Sequence, residues 1–320
     1  MDIHNLTELE RNEIFDEHPI VTKEYLIVTP VIKMVYGLLR DRVWMRSTGT
    51  FMYSPPRMGK STCAKAIKKL LEAEFPKVMI MHFTAESANK TAAALFIDIL
   101  QSEKIIIPKL ARYKDIQRQL LTLIQSKLSE KKGQQLVLMI DEMQNLKQAD
   151  LDMLATLHNR LESVGIRMTT LGFAHPEILN IRASLKATNQ SYLIARFLSE
   201  PIAFDGCATK GNLEEILNAY DEDLIYPHDS NYTFTHFFLP YAYENGFRIS
   251  NYTEVLWRAL KEASAELPVD SIPMEHLSRT VEYLLVVGAR SDSPEFKFPK
   301  ANIRNAIEAS NLYSFSSSLG

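Results

Sequence analysis

The stretch "FMYSPPRMGKST" (residues 51–62) decides how this chain is read. Phe51 to Tyr53 is a short apolar run with the look of a strand, and a helical pattern, "STCAKAIKKLLEAEF" (61–75), opens directly after Gly59 and Lys60. A strand, a tight loop ending Gly-Lys-Ser and a helix form the setting of a phosphate-binding loop. Backbone N–H groups at a helix N-terminus point at anionic oxygens, and the helix dipole adds to their pull. A lysine then places a point charge on the outer phosphates, and the following hydroxyl ligates Mg²⁺. Lys60 and Ser61 stand at those positions, and Pro56, Arg57, Met58, Gly59 and Thr62 complete the expected ATP contacts. Glycines are scarce for such a loop. Ser54 takes the place of the first one, and Pro55 and Pro56 stiffen the turn by fixing φ. Arg57 has three readings: it lends charge to the nucleotide, faces a neighbouring subunit, or is solvated.

The decisive partner lies further on. "QLVLMIDE" (135–142) is an apolar run too continuous to be half exposed, so it is expected mid-sheet with both faces covered. It ends in two acids. Asp141 is placed to join the Mg²⁺ shell, and Glu142 to act as general base on the attacking water. The other strands read as "VMIMHF" (78–83), "IRMTTLG" (166–172) and "EPIAF" (200–204), with helical patterns at 89–101, 115–130 and about 148–163. Strands alternating with helices predict an α/β fold with a parallel sheet and crossover helices. After Phe204 the pattern turns helical, so the expected organisation is an α/β nucleotide-binding domain over 1–204 with a helical N-terminal segment, an α-helical domain over 205–312, and a flexible tail over 313–320.

Composition narrows the class. The net charge of −3 excludes a globally basic nucleic-acid coat, so any such contact must come from a local patch. Two cysteines make no disulfide framework or metal-ligand pair, and the eight histidines show no metal spacing. The apolar runs are too short for a membrane span and the opening residues too polar for a signal peptide, so a reduced, cytoplasmic protein is expected.

With these motifs in place the chain resembles AAA+ ATPases, whose loop commonly reads Gly-Pro-Pro-Gly-x-Gly-Lys-Ser/Thr against "SPPRMGKS" here. The resemblance implies a P-loop AAA+ core, a parallel five-stranded sheet with flanking helices, followed by a small α-helical lid. It also implies two arginines: Arg196 in "LIARF" as a finger acting on a neighbour's ATP, and Arg248 in "ENGFRISNY" as the lid's sensor, with Arg258 a competitor. The first sensor falls on Thr170 or His175. "MIDEMQNL" (139–146) and "LGFAHPEIL" (171–179) are similar to stretches of the TnsC/TniB transposition regulators, with the TnsC proteins of CRISPR-associated transposons as the nearest branch. That likeness implies self-association into a ring or filament on double-stranded DNA. The assembly would bridge a TniQ-like target selector with its guide-RNA complex to the transposase TnsB and the endonuclease TnsA.

A local patch for DNA is present. Residues 101–135 hold eight basic side chains (Lys104, Lys109, Arg112, Lys114, Arg118, Lys127, Lys131, Lys132) against three acidic ones (Glu103, Asp115, Glu130). Such an excess suits phosphate contacts without base reading. Lys104, Lys109 and Arg112 are the candidates, because they lie on the irregular "EKIIIPKLARYK" segment, where a loop can reach a backbone. Two rival functions share the nucleotide residues. One is a replication or clamp-loader-type DNA ATPase, the other a signalling NTPase switch without DNA contact.

Overall fold

The computed structural model describes residues 13–86, 93–108 and 111–319, and Lys109 lies outside the described residues. The chain divides into two compact units. One comprises Ile32–Pro56 and Lys60–Phe204. The other comprises the described residues up to Val31, the loop residues Arg57–Gly59, and the chain from Asp205 onward.

The first unit is built on five parallel strands in the order β2-β3-β4-β1-β5. They are β1 (Thr50–Tyr53), β2 (Met79–Thr84), β3 (Gln135–Asp141), β4 (Arg167–Ala174) and β5 (Glu200–Ala203). All seven residues of β3 are buried, and it pairs with β2 on one side and β4 on the other. Its unbroken apolar run is thus that of an inner strand covered on both faces. Gly172 on β4 allows a close approach. A Cβ there would come within 2.4 Å of Met143 Sδ and 2.8 Å of Phe51 Cβ. The edge strand β5 is tied down by Glu200, which accepts hydrogen bonds from Arg42 Nε at 2.8 Å and Thr50 Oγ1 at 2.8 Å.

Helices in this unit follow the periodicity of the sequence. Tyr113–Glu130 buries Ile116, Leu120, Ile124 and Leu128, spaced to keep one face on the sheet. Lys60–Glu74 buries Cys63, Ala64, Ile67 and Leu71. The Cys63 thiol, pushed up to about 12 by burial, is a packing group and no nucleophile.

The second unit is helical. Its core gathers Leu213, Leu217, Tyr220, Phe234, Ile249, Leu256, Leu277, Leu285 and Ile307. The aromatic run at 232–243 lies largely in or against this core, with Phe234 and Phe238 buried. Asp221, fully buried, accepts the backbone N–H groups of Ile249 and Ser250, both at 3.0 Å, and so satisfies the start of the turn that follows Arg248.

The N-terminal residues 13–31 group with the helical unit and not with the sheet. Ile20 and Ile27 are buried in its core, and His18 sits among Tyr226, Phe234, Phe237 and Phe238 with ring centroids 4.5–4.8 Å away. Tyr25 donates to Glu282 at 2.8 Å, and Lys23 pairs with the same carboxylate. The tail is also ordered: Leu312–Leu319 is a helix, fastened by the buried Leu312 and Ser316.

Candidate nucleotide site

Gly59 and Arg57 both carry positive φ, 97° and 65°. The loop therefore makes two left-handed turns before its helix starts at Lys60. Gly59 adopts such a φ freely. Arg57 does so at a cost of about 1–2 kcal/mol. The sparse glycine pattern thus hides a backbone with the expected curvature, one of whose turns is made by an arginine. That arginine is not simply solvated, since Arg57 Nη1 donates to Glu275 Oε1 at 2.7 Å within the helical unit.

Lys60 is buried, and its ammonium donates to the carbonyls of Ser54 (2.8 Å) and Pro55 (2.9 Å). Burial pushes it down to about 8, against the opposing pull of Glu142, Asp141 and Glu177. The loop follows the end of β1, and Asp141–Glu142 stand at the end of the parallel strand β3, so both lie at the carboxyl ends of the strands, where ligands of open α/β sheets bind. Ser61 and Thr62 are exposed in the first helical turn, where amides lack intrahelical partners.

Asp141 is buried at the end of β3, and its Oδ1 accepts the N–H of Glu142 at 3.0 Å. Glu142 itself is left-handed, at φ 54° and ψ 37°. Its carboxylate is engaged. Gln144 Nε2 donates to Glu142 Oε2 at 2.6 Å, while Gln144 Oε1 accepts the backbone N–H of His175 at 2.9 Å. A backbone N–H only donates, so the amide is fixed with its nitrogen toward Glu142. His175 Nε2 stands 3.8 Å from the other carboxylate oxygen.

This arrangement separates the two candidates for the first sensor. His175 faces Glu142, whereas Thr170 is buried mid-strand with its hydroxyl donating to the carbonyl of Arg196 at 3.3 Å. The amide bridge through Gln144 was not legible in the sequence, although a polar residue two places after the acid pair was the available signal.

Lys60 and the loop would hold a triphosphate, and the exposed Ser61 hydroxyl and the Asp141 carboxylate are oxygen donors of the kind Mg²⁺ would take. Among the described residues no group of three or more His, Cys, Asp or Glu side chains forms a metal cage. That is the donor set of an ion that takes its other ligands from phosphate and water.

The remaining expected residues are placed as follows. Arg196 lies near the end of the helix Ser191–Phe197, partly exposed. Its charge adds to the effect of burial in lowering the His158 imidazole below its ordinary range. Arg248 is engaged inside the helical unit: it donates to the carbonyls of Tyr243 (2.9 Å) and Phe247 (2.6 Å) and lies 3.5 Å over the Tyr243 ring. Arg258 pairs with Glu254 on an exposed helix face. Lys104, at φ 61°, and Arg112 are exposed on the loop between the helices Ala94–Ser102 and Tyr113–Glu130. Neither makes an ion pair among the described residues. In the same patch Lys127 pairs with Glu103 and Arg118 with Asp115.

A family model described as "AAA domain" matches residues 47–180, the span from the phosphate loop past Glu142 and His175. Among curated proteins none matches the chain. Solved structures do. The ORC2 protein of Aeropyrum pernix, in ADPNP–ADP complexes, is similar at 13% identity and a TM-score of 0.58, covering 92% of this chain and 71% of that one. The ORC1 protein of Aeropyrum pernix in complex with DNA gives 13% and 0.50, covering 88% and 65%. Drosophila ORC bound to DNA gives 11% and 0.51, covering 96% and 67%. The likeness at these identities is one of fold: a P-loop AAA+ core with a parallel five-stranded sheet, followed by helices. No helix among the described residues is long and apolar enough to cross a membrane.

Proposed function

We propose that this chain is an ATP-hydrolysing AAA+ regulator that assembles on double-stranded DNA, of the TnsC type that connects a target selector to a transposase. The observation that carries the ATPase reading is the buried Lys60 held on the loop after β1, with the Asp141–Glu142 pair at the end of the parallel strand β3 in the same sheet. Lys60 and the loop amides hold the phosphates, while Ser61 and Asp141 hold Mg²⁺, which neutralises charge on the phosphates. Glu142, once free of Gln144, takes a proton from the attacking water. In this reading Arg196 acts on the ATP of a neighbouring copy, so hydrolysis depends on assembly, and Arg248 reaches nucleotide only after leaving Tyr243.

The transposition role rests on the resemblance of "MIDEMQNL", and its partners would be a TniQ-like selector, TnsB and TnsA. A second reading, a replication or clamp-loader-type DNA ATPase, draws on the fold shared with ORC proteins solved with nucleotide and with DNA. Duplex DNA capture on filters, with and without ATP, tests the common core. ATP-dependent, sequence-indifferent binding that is lost in Lys104→Glu with Arg112→Glu supports it. Undiminished DNA affinity in that variant removes the patch, and no binding in any condition favours a protein-directed switch. Recruitment of TnsB to the DNA-bound chain separates transposition from replication.

A further inference from the structure

The left-handed turn of the phosphate loop is held from two places remote in sequence. Arg57 Nη1 donates to Glu275 Oε1, 218 residues away, and Arg57 O accepts the N–H of Glu275 at 3.2 Å. The guanidinium carbon lies 5.4 Å from the centre of the Phe315 ring. Phe315 belongs to the last helix, Leu312–Leu319. His276 backs it with a ring centroid 4.7 Å away, and His276 Nδ1 is 2.6 Å from Ser310 O just before that helix. These residues all lie in the helical unit together with Arg57–Gly59, and the loop residues run covalently into Pro56 and Lys60.

A glycine at position 57 would adopt φ 65° with no outside help. An arginine there holds that conformation at a cost of about 1–2 kcal/mol, which its contacts with Glu275 and Phe315 offset. Each contact is modest alone. Arg57 and Glu275 are 40% and 36% exposed, where ion pairs are weak, and Glu275 also serves Arg279 at 2.5 Å. A cation over an aromatic face adds to the ion pair without replacing it.

We propose that Glu275 and Phe315 are positioning residues of the nucleotide site: they hold Arg57 left-handed and thereby make ATP affinity conditional on the seating of the last helix. This deepens the ATPase reading above and rests on it. The last helix is thus a handle on the phosphate loop, and anything that draws Phe315 away loosens ATP.

The test is a double-mutant cycle on the full chain, read as the affinity of a fluorescent ATP analogue and as KM against kcat. Phe315→Leu keeps the apolar volume and removes the ring face. It is expected to weaken the analogue about threefold to fivefold and to raise KM with kcat unchanged. Glu275→Gln behaves alike. In an Arg57→Gly background both effects disappear, because the loop no longer needs the restraint. Equal losses in both backgrounds overturn the proposal, as does no loss with Arg57 present. Lys60→Ala serves as the separate control. If it leaves analogue affinity untouched, the ATP reading itself fails, whatever the cycle shows.

Discussion

The phosphate loop at 54–61 and the acid corner at 141–145 make an instructive pair. Each contains a non-glycine residue in the left-handed region, Arg57 at φ 65° and Glu142 at φ 54°. By sequence the loop is the poorer match to its motif and the corner the better one. In the structure the loop has the required two turns, while the corner holds its key carboxylate on Gln144. A motif identifies the candidate residues. Their contacts come from outside the motif: Glu275 and Phe315 touch Arg57 of the loop, and Gln144, itself held by the His175 backbone, touches Glu142 of the corner.

The strongest way to break this comparison is Glu142→Gln, which keeps the shape and removes the base. Turnover should fall at least about a hundredfold while ATP still binds. Hydrolysis at the parental rate would place the base elsewhere.

Next comes pH. Lys60, lowered to about 8, loses its charge as pH rises through that value, so ATP affinity should drop about tenfold between pH 7 and pH 9. Folding stability responds with the opposite sign. The unfolded lysine keeps its proton up to its ordinary range, so stability rises with pH from about 8 upward. Titrating nucleotide affinity and thermal unfolding side by side checks both directions.

Gln144→Ala sharpens the other half. Without the amide, Glu142 is free to reach the attacking water, so kcat should rise about twofold to fivefold with KM unchanged. A fall in kcat would mean that the amide holds Glu142 in its working position.

The smallest effect is expected in the helical unit. His18 is lowered to about 3 by burial, and its Nε2 has no hydrogen-bond partner among the described residues. The unfolded chain therefore binds the extra proton between about pH 6.5 and 3. Stability should fall as pH drops through that window, by at most about 1.4 kcal/mol per pH unit. His18→Phe should flatten that slope in melting curves. An unchanged slope would assign acid sensitivity to other groups.

How much of this was legible in the sequence varies by element. β3 was readable because the unbroken apolar run Leu136–Ile140 demands an inner strand, as its seven buried residues show, and its terminal acids announce themselves. The helix Tyr113–Glu130 was readable from Ile116, Leu120, Ile124 and Leu128 on one face. Arg248 shows the opposite case. Its motif position was legible, but its contacts with the nearby carbonyls and the Tyr243 ring were not. The tail, polar and rich in serine, reads as loose until Leu312 and Ser316 are seen to be buried.

By itself the sequence determined the α/β core and the helical region after Phe204, and it singled out Lys60, Ser61, Asp141 and Glu142 as the candidate nucleotide groups. These follow from periodicity and from residue types a few positions apart, which local backbone geometry converts directly into faces and turns. Only the tertiary structure decided that residues 13–31 join the helical core, that His175 and not Thr170 faces Glu142, and that Arg57 makes a turn a glycine would ordinarily make. Each of these depends on a partner brought from elsewhere in the chain: Tyr226 and Phe234 for His18, Gln144 and Glu142 for His175, Glu275 and Phe315 for Arg57. Such pairings are fixed by packing and hydrogen-bond geometry, which no local pattern of residue types encodes.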